Sequence, residues 1–475
     1  MNDANLKSPQ SEWKRETLAD VIGSDGLFVD GDWVESKDQD PDGDVRLVQL
    51  ADIGDGEYRD RSSRFLTSEK ARLLKCSFIQ PGDVLIARMP DPLGRACIFP
   101  GDKKRAVTVV DVAIVRVRNS DVDPRWLMYC VNSPFFRRAV SDLQSGSTRQ
   151  RISRKNLSTI DFLRPSHDEQ LRVVAEIEKQ FSRLDEAVAN LKRVKANLKR
   201  FKAAVLKAAF GGRLVTTEDE IARKQCLPYE TGTELVRRML NTRRDLWRGK
   251  GEYTEQVAPN IANLPTLPEG WAWARLDAIA LLKGGITVDK GRIDSTARRV
   301  PYLRVANVQR GFLDLSEVKY ISAPAADIEQ LRLLKGDILF NEGGDRDKLG
   351  RGWIWEGQLP DCIHQNHVFR ARLLSTGIHP KFVSWWGNSF GKTYFSREGK
   401  QTTNLASINI TKLSGFPVPI PPSEEQSRIV AEVECRFTVA ESIEAQVESN
   451  LKRAERMRDS ILSKAFGVCA PRSRR

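Results

Sequence analysis

Two pairs of polar loops contain arginine, lysine, asparagine and glutamine side chains whose hydrogen-bonding groups could recognise the edges of nucleobases. Base edges are recognised mainly by Arg or Lys on guanine and by Asn or Gln on adenine. One pair of loops lies at 145–152 and 400–405, and the other follows two short apolar segments that end near residues 87 and 340. Any one of these side chains could also be an ordinary solvated residue. The predicted base contacts are Arg88, Arg149, Gln150 and Arg151 in the first half, and Asn341, Arg346, Lys348, Lys400, Gln401 and Asn404 in the second.

A second candidate set consists of basic side chains on a long helical segment. Between Ala187 and Thr217 there is no acidic residue, although many lysines and arginines occur there. Such a surface attracts phosphates in a salt-dependent way and carries no base specificity. A solvated helix face is the alternative for any one lysine. The candidate phosphate contacts are Lys192, Arg193, Lys199 and Arg200.

Two short motifs have the residue types of catalytic sites. The segment 132–135, Asn-Ser-Pro-Phe, is similar to the Asn/Asp-Pro-Pro-Tyr/Phe loop of amino-methyltransferases but lacks one proline. Its equivalent at 388–391 has no proline, so we interpret the position as structural. Glu398 and Lys400 downstream of Asp361 have a spacing found in nucleases, which arises by chance in any charged chain. We therefore predict no catalytic residue.

The segment 362–367 contains one cysteine and two histidines that could in principle hold a metal ion. The segment runs into a predicted strand, where side chains alternate between the two faces. His364 and His367 are then expected on opposite faces, and a closed metal site needs four ligands. We predict an ordinary strand end here and no metal site.

The middle of the chain recurs near its end at a constant shift. Residues 165–178 return as 421–434, a shift of 256 positions that also relates Asn132 to Asn388. Weaker matches with small insertions extend the repeat back to Trp13 and Trp271. Composition cannot produce a constant shift, so the sequence contains a duplication. We expect two copies of one globular fold that present similar surfaces to two similar partners.

A long helical segment follows each globular region. Apolar residues recur at alternating steps of three and four over 174–205 and 430–461, the pattern of a coiled-coil seam. Asp168 and Ser423 are the predicted caps, and the glycines at 211–212 and 467 are predicted to end the helices. Because a whole globular region lies between the two segments, antiparallel pairing is favoured. Such a seam would hold two domains at a fixed distance.

The globular halves have the pattern of mixed α/β domains. Strands are predicted at 45–51, 107–117, 337–340 and 368–373, and short helices at 125–131 and 381–386. The predicted fold class is α+β, with two mixed α/β domains separated by two long helices that pack as an antiparallel coiled coil, related by an internal pseudo-two-fold repeat. A short basic helix is predicted near 233–240, between the first long helix and the second globular region.

Composition excludes several classes of protein. Hydrophobic residues make up 40% of the 475 residues, enough for real cores, and no apolar run approaches the roughly 18 residues of a membrane span. No apolar secretory signal opens the sequence. Seven cysteines without close pairs favour a reducing, cytoplasmic environment. A net charge of +13 and a pI near 9.4 favour a polyanionic partner such as nucleic acid.

The layout resembles the specificity subunit of type I restriction-modification enzymes, in which variable target-recognition domains alternate with conserved helices. The resemblance covers essentially the whole chain. It differs at residues 10–13, where Gln-Ser-Glu-Trp stands instead of the usual Leu-Pro-Glu-Gly-Trp. The motifs that carry it are Leu-Pro-Glu-Gly-Trp at 267–271, Gly-Asp-Val/Ile-Leu at 82–85 and 336–339, Ile152 and Ile408, Glu-Gln at 169–170 and 425–426, and Lys-Ala-(Ala)-Phe-Gly at 207–211 and 464–467.

The resemblance implies a non-catalytic chain that reads a bipartite double-stranded DNA target with a non-specific spacer, as part of antiviral defence. It also implies two modification subunits, which use S-adenosylmethionine to methylate adenine, and restriction subunits that use ATP and Mg²⁺. No cofactor is expected on this chain. The alternatives are a coiled-coil scaffold that binds DNA without base specificity and a self-contained DNA methyltransferase or nuclease.

The predicted domain boundaries follow the repeat. They are a first recognition domain at 1–164, a central long helix at 165–215, a basic linker with a short helix at 216–266, a second recognition domain at 267–420, and a C-terminal long helix with a basic tail at 421–475.

Overall fold

The computed structural model describes residues 13–90, 92–146, 149–248, 252–287, 297–344, 349–398, 400–401 and 406–466. The chain divides into two compact units. Unit 1 comprises residues 1–194 and 446–475, and unit 2 comprises residues 195–445. Within the described ranges, no helix has the length and apolar character needed to cross a membrane.

Unit 1 contains nine strands and five short α-helices within its described residues, and the first long helix begins there. The elements are β1 (Lys14–Thr17), α1 (Leu18–Ile22), β2 (Leu27–Asp30), β3 (Val45–Val48), β4 (Phe65–Leu66), α2 (Ser68–Leu73), β5 (Val84–Ala87), β6 (Ala96–Ile98), β7 (Arg105–Thr108), β8 (Val112–Arg116), α3 (Pro124–Asn132), α4 (Pro134–Asp142), α5 (Arg154–Ser158), β9 (Asp161–Arg164) and α6 (His167–Phe210).

Three small sheets organise unit 1. Their orders are β1-β9, β2-β8-β5-β6 and β4-β3-β7, and the pairing of β3 with β7 is parallel. Alternate residues of β5 enter two different hydrophobic cores, Val84 on one side and Leu85 on the other. This strand is buried on both faces, as its uninterrupted apolar sequence indicates.

The predicted strand at 107–117 is wrong as a single element. The chain turns at Val109, whose carbonyl accepts a hydrogen bond from the Val112 N–H at 2.9 Å. The turn sends β7 and β8 into different sheets. A continuous apolar run cannot reveal such a turn, because both strands are buried.

Unit 2 begins within α6 and ends within the second long helix. Its elements are α7 (Glu218–Gln225), α8 (Gly232–Asp245), β10 (Ala272–Arg275), α9 (Leu276–Ile279), β11 (Ala280–Lys283), β12 (Arg298–Leu303), β13 (Lys319–Ala323), α10 (Ala325–Leu331), β14 (Ile338–Asn341), β15 (Gly343–Gly344), β16 (Gly352–Ile354), β17 (Ile363–His364), β18 (Val368–Leu373), α11 (Pro380–Glu398), β19 (Lys400–Gln401), β20 (Ala406–Ser407), α12 (Ile410–Ser414), β21 (Pro417–Ile420) and α13 (Ser423–Phe466).

The sheets of unit 2 repeat those of unit 1 and add one more. The orders β10-β21, β11-β18-β14-β16 and β13-β12-β17 match the three sheets of unit 1 strand for strand. The pairing of β12 with β17 is again parallel. The predicted internal repeat is therefore confirmed. The additional sheet, β15-β20-β19, has no equivalent sheet in the described part of unit 1.

One difference between the units follows directly from a proline. In unit 1, Ser133 separates α3 from α4 and caps α4 by accepting a hydrogen bond from the Phe136 N–H. Pro134 stands at the first position of α4, where a missing N–H costs nothing. Unit 2 has no proline at the equivalent place, and α11 runs unbroken over 19 residues.

The segment 216–266, predicted as a basic linker, contains α7 and α8. Leu235 and Met239 of α8 are fully buried in the main core of unit 2, together with Ala274 of β10. The N–H of Gly232 donates to the Gly270 carbonyl at 2.7 Å. The short basic helix predicted near 233–240 is thus present and packs into unit 2.

The two long helices each span 44 residues, roughly 66 Å at 1.5 Å per residue. In unit 1, Arg458 of α13 stacks over Phe181 near the start of α6, at 4.8 Å from the ring centroid. In unit 2, Lys202 near the end of α6 pairs with Glu444 of α13 at 2.7 Å. Each unit joins the first part of one helix to the last part of the other, so the predicted antiparallel pairing is confirmed.

The helix boundaries correct the predicted caps. Asp168 is the second residue of α6, which begins at His167. Ser423 is itself the first residue of α13. Gly212 ends α6 with a φ of 62°, a conformation that glycine adopts without strain. Gly467, the predicted end of the second helix, lies outside the described residues.

The predicted seam is only partly buried. Val174 and Val433 are almost inaccessible, whereas Phe201 and Met457 are 43% and 46% exposed. The three-four spacing of apolar residues predicts the two long helices correctly. It does not predict that the seam is buried along its whole length.

Candidate nucleic-acid interface

In each unit, backbone hydrogen bonds join the two predicted polar loops. These hydrogen bonds occupy equivalent positions in the two units. In unit 1, the Ile152 N–H donates to the Arg88 carbonyl at 3.1 Å, and the Arg88 N–H donates to the Asp111 carbonyl at 2.8 Å. In unit 2, the Ile408 N–H donates to the Glu342 carbonyl at 2.8 Å, and the Glu342 N–H donates to the His367 carbonyl at 2.9 Å. We call these two sets of bonds the recognition frame.

In unit 1 the frame supports the described residues 145–146 and 149–151, which we call the recognition hairpin. Ser145 and Arg151 exchange two backbone hydrogen bonds of 2.9 Å at its base. Arg149, Gln150 and Arg151 are all exposed, and the Arg151 guanidinium lies 3.9 Å from Asp111. Three consecutive exposed side chains suited to base edges or phosphates therefore lie beside the recognition frame.

In unit 2 the same position is occupied by the extra sheet. Strand β20 pairs with β15 on one side and with β19 on the other. Lys400 and Gln401 lie in β19, but their side chains are not described. Arg346, Lys348 and Asn404 lie outside the described residues. The predicted contacts of these five residues stay predictions.

Arg88 does not lie on the candidate surface. Its side chain is buried, donates to the Val110 carbonyl at 2.7 Å, and lies 3.3 Å from Asp30. Burial lowers the pKa of Arg88, and the neighbouring Asp30 opposes that shift. The prediction of a base contact for Arg88 is corrected, because its guanidinium is used to hold the chain together.

Asn341 is corrected for the same reason. It is fully buried in β14, and its Nδ2 donates to the carbonyls of Val308 at 2.8 Å and Val305 at 3.2 Å. The sequence shows a polar residue after an apolar strand but not which way its side chain points.

A histidine and a carboxylate form the most defined polar pair near the frame of unit 2. His367 Nδ1 lies 2.5 Å from Glu342 Oε2, and the His367 side chain is 54% exposed. Glu342 occupies the position of Arg88, and His367 that of Asp111. Sequence reasoning considers His367 only as a possible metal ligand and does not identify its pairing with Glu342.

The basic helix residues are exposed as predicted. Lys192 and Arg193 lie in unit 1, and Lys199 and Arg200 lie in unit 2, all on α6. Lys202 on the same helix differs, because it is 24% exposed and pairs with Glu444 at 2.7 Å and Glu441 at 3.6 Å. Exposure leaves the four predicted residues accessible to phosphates, although their contact with DNA stays a prediction.

The methyltransferase-like position is structural in both units, as predicted. Asn132 forms two hydrogen bonds with the backbone of Ala96, at 2.9 Å and 2.8 Å. Asn388 forms the same two bonds with Gly352, at 3.1 Å and 2.7 Å. Each asparagine ties a helix to the edge strand β6 or β16.

The histidines of the 362–367 segment face different environments, as alternation predicts. His364 is fully buried, and its Nδ1–H donates to the Val368 carbonyl at 2.6 Å. Burial lowers the pKa of His364 to about 4. Asp361, of the nuclease-like motif, pairs with Arg298 at 2.7 Å and Arg332 at 3.6 Å. Among the described residues, no group of three metal-ligating side chains occurs.

The comparisons with known proteins agree on one family. No family model matches the chain. It is similar to the StySPI type I restriction enzyme specificity subunit of Salmonella potsdam, with 25% identity over 348 residues. It is also similar to the EcoBI specificity subunit of Escherichia coli, with 24% identity over 368 residues. Both relatives are specificity subunits of type I restriction enzymes, and the chain is similar to them over about three quarters of its length.

The matched region covers 73% of this chain and 65% of the StySPI subunit, and 75% of this chain and 67% of the EcoBI subunit. The putative MjaX specificity subunit of Methanocaldococcus jannaschii matches over 42% of this chain and 47% of its own length, with 26% identity. The chain thus spans about half to two thirds of the length of these curated relatives.

Two solved structures share the fold. A chain described under complex assembly and conformational transition of the type I R-M system has a TM-score of 0.62 and 17% identity, with 96% of this chain and 97% of that chain covered. The HsdS subunit of Thermoanaerobacter tengcongensis has a TM-score of 0.52 and 16% identity, with 98% and 99% covered. The specificity-subunit fold therefore extends over almost the entire chain.

Proposed function

We propose that this chain reads a bipartite DNA target, with unit 1 and unit 2 each recognising one half-site on either side of a spacer that is not read. The recognition hairpin of unit 1 would contact bases of the first half-site. The loops on the frame of unit 2 would contact bases of the second. Exposed lysines and arginines of α6 would contact phosphates.

The observation that carries this proposal is the repeated recognition frame. The same backbone hydrogen bonds occur in both units, but they support an arginine-containing hairpin in one and a three-stranded sheet with a His–Glu pair in the other. Two copies of one fold that carry different exposed side chains are the arrangement expected of two domains with different base preferences.

The proposal includes partners that supply the chemistry. Two modification subunits would bind S-adenosylmethionine and methylate adenine, and restriction subunits would translocate and cut DNA with ATP and Mg²⁺. This chain would position them and would have no catalytic residue or cofactor of its own. The similarity to specificity subunits of type I restriction enzymes supports this assignment.

A domain exchange tests the proposal. Residues 13–150 would be replaced by the equivalent domain of another family member, and the methylated sequences would be mapped in a host strain. We expect one half-site to change while the other stays intact. If both half-sites changed together, two independent readers would be excluded.

Two competing functions give different results. A scaffold without base specificity would lose all discrimination between DNA sequences when raised salt weakens phosphate attraction, whereas base contacts would preserve discrimination. A self-contained enzyme would methylate or cut DNA as a purified chain, without modification subunits. Either result would contradict the proposed function.

A further inference from the structure

A surface groove of about 630 Å³ lies in unit 1 beside the recognition frame. Its walls come from the segment 32–39, from residues 49–51, and from the turn that separates β7 and β8. Trp33 lines it and is 70% exposed, with its indole N–H donating to Glu35 at 3.3 Å. An indole ring this exposed offers a large flat apolar surface to a partner.

The polar lining has the chemistry of base recognition. Arg64 Nη1 donates to Gln39 Oε1 at 2.7 Å, and Gln49 also lines the groove. Arginine and glutamine are the side chains that pair with guanine and adenine edges. The hydrogen bond between Arg64 and Gln39 holds both groups together before any ligand binds, which reduces the ordering cost of binding.

The acidic groups of the lining already have partners. Asp32 accepts a hydrogen bond from the Ser77 N–H at 2.9 Å, and burial raises its pKa. Glu35 pairs with Lys37 at 2.7 Å. Two of the three carboxylates in the lining, Glu35 and Asp111, therefore have a cationic side chain beside them.

The groove is continuous with the candidate interface. Asp111 lines the groove, accepts the Arg88 N–H through its carbonyl, and lies 3.9 Å from Arg151 of the recognition hairpin. A DNA duplex held by the hairpin would therefore lie next to the groove.

We propose that this groove is a second DNA-contacting surface of unit 1, in which Gln39 and Arg64 contact base edges of the first half-site and Trp33 makes the apolar contact beside them. This inference rests on the proposed function and adds specificity-determining residues to it. The occupant is duplex DNA, because the groove adjoins the recognition hairpin and presents side chains that pair with bases.

The test measures binding of the complete chain, assembled with its modification subunits, to duplex libraries randomised in one half-site at a time. Trp33→Ala and Arg64→Ala are the test variants. We expect each to weaken binding to the preferred first half-site by about 5- to 100-fold and to relax its base preference, with the second half-site unchanged. The matched controls are Leu73→Ala, which truncates an apolar side chain that is 72% exposed, and Arg72→Ala, which removes an exposed arginine; both lie in unit 1 and neither lines the groove.

The outcomes separate this inference from the proposed function. Normal base preference in both groove variants, together with relaxed preference in Arg149→Ala, would overturn the groove and keep the proposed function. Equal losses in the groove variants and their controls would also overturn it, as would equal weakening on every DNA sequence. If Arg64→Ala lowers the unfolding midpoint, Gln39→Ala takes its place, and an unchanged preference there counts against the groove. An unchanged first half-site in every variant, including the domain exchange, would instead contradict the proposed function.

Discussion

Unit 1 and unit 2 place three matching sheets around one set of backbone hydrogen bonds, but their side chains at equivalent positions differ in kind. Gly31 and Gly285 illustrate what is shared, because a Cβ at either would lie within 2.2 Å of the carbonyl of Val109 or His364. Both positions need glycine for close approach of the backbone. Arg88 and Glu342 illustrate what differs, since opposite charges stand at the same point of the recognition frame.

This comparison separates two kinds of constraint. Where a side chain bonds to the backbone of its own unit, the units agree, as Asn132 and Asn388 do. Where a loop is exposed to solvent, the two units differ in loop length, charge and secondary structure. A duplicated fold can therefore change its exposed loops without loss of the backbone that supports them.

The largest expected effect concerns a buried difference between the units. His364 of β17 occupies the position of Thr108 in β7, and both are fully buried. Burial lowers the pKa of His364 to about 4 in the folded chain. In the unfolded chain the same imidazole is protonated near pH 6.5. The contribution of neutral His364 to the free energy of unfolding is therefore fully present above pH 6.5. About 3 kcal/mol of it is lost as the pH falls toward 4. Urea denaturation of unit 2 at pH 7 and pH 4.5 measures this loss.

The variant His364→Thr places the residue of unit 1 into unit 2. We expect it to unfold with a weaker dependence on pH between 6.5 and 4.5 than the parent chain. Identical pH profiles for the variant and the parent would show that His364 is not the source of acid sensitivity.

The next effect concerns the recognition hairpin of unit 1. Arg149→Ala and Gln150→Ala should each weaken binding to the preferred first half-site by about 1–3 kcal/mol and relax discrimination there, since both side chains are exposed beside the recognition frame. Binding to libraries randomised in the first half-site measures the effect. The unfolding midpoint should stay unchanged. Full discrimination in both variants would remove the hairpin from the recognition surface.

A smaller effect is expected at the polar pair of unit 2. His367→Ala should weaken recognition of the second half-site by about 1 kcal/mol, because one exposed hydrogen-bonding group is lost. Glu342→Gln keeps a partner for His367 Nδ1 and should have a weaker effect. The same libraries, randomised in the second half-site, measure both variants. A change confined to the first half-site would contradict the prediction that this pair recognises the second half-site.

Much of the fold is predictable from the sequence because the repeat gives two independent samples of each element. The apolar periods of α6 and α13 and the strands β14 and β18 depend on local pattern and are found correctly. The predicted helix at 125–131 does not include α4, and the predicted strand at 107–117 does not show the turn at Val109, which lies between two buried strands.

The candidate interface is predictable only in part. Sequence position identified the loops that meet at the recognition frame, but it did not show that Arg88 and Asn341 point inward. Trp33, Gln39 and Arg64 were missed because the chain returns to the groove from separate segments. Local chemistry marks exposed loops well, whereas side-chain direction and surfaces formed by distant segments require the three-dimensional structure.

The smallest expected effect compares two lysines on one helix. Lys199 is exposed, whereas Lys202 is neutralised by Glu444 at 2.7 Å. If Lys199 contacts a phosphate, Lys199→Ala should weaken binding to all sequences alike and reduce the slope of log affinity against log salt by about 0.9. Lys202→Ala should leave that slope unchanged and destabilise unit 2 by no more than about 1 kcal/mol, the usual contribution of a partly exposed ion pair. Affinity measured over a series of salt concentrations distinguishes the two lysines. Equal slopes for both variants and the parent would show that the face of α6 around Lys199 is an ordinary solvated surface.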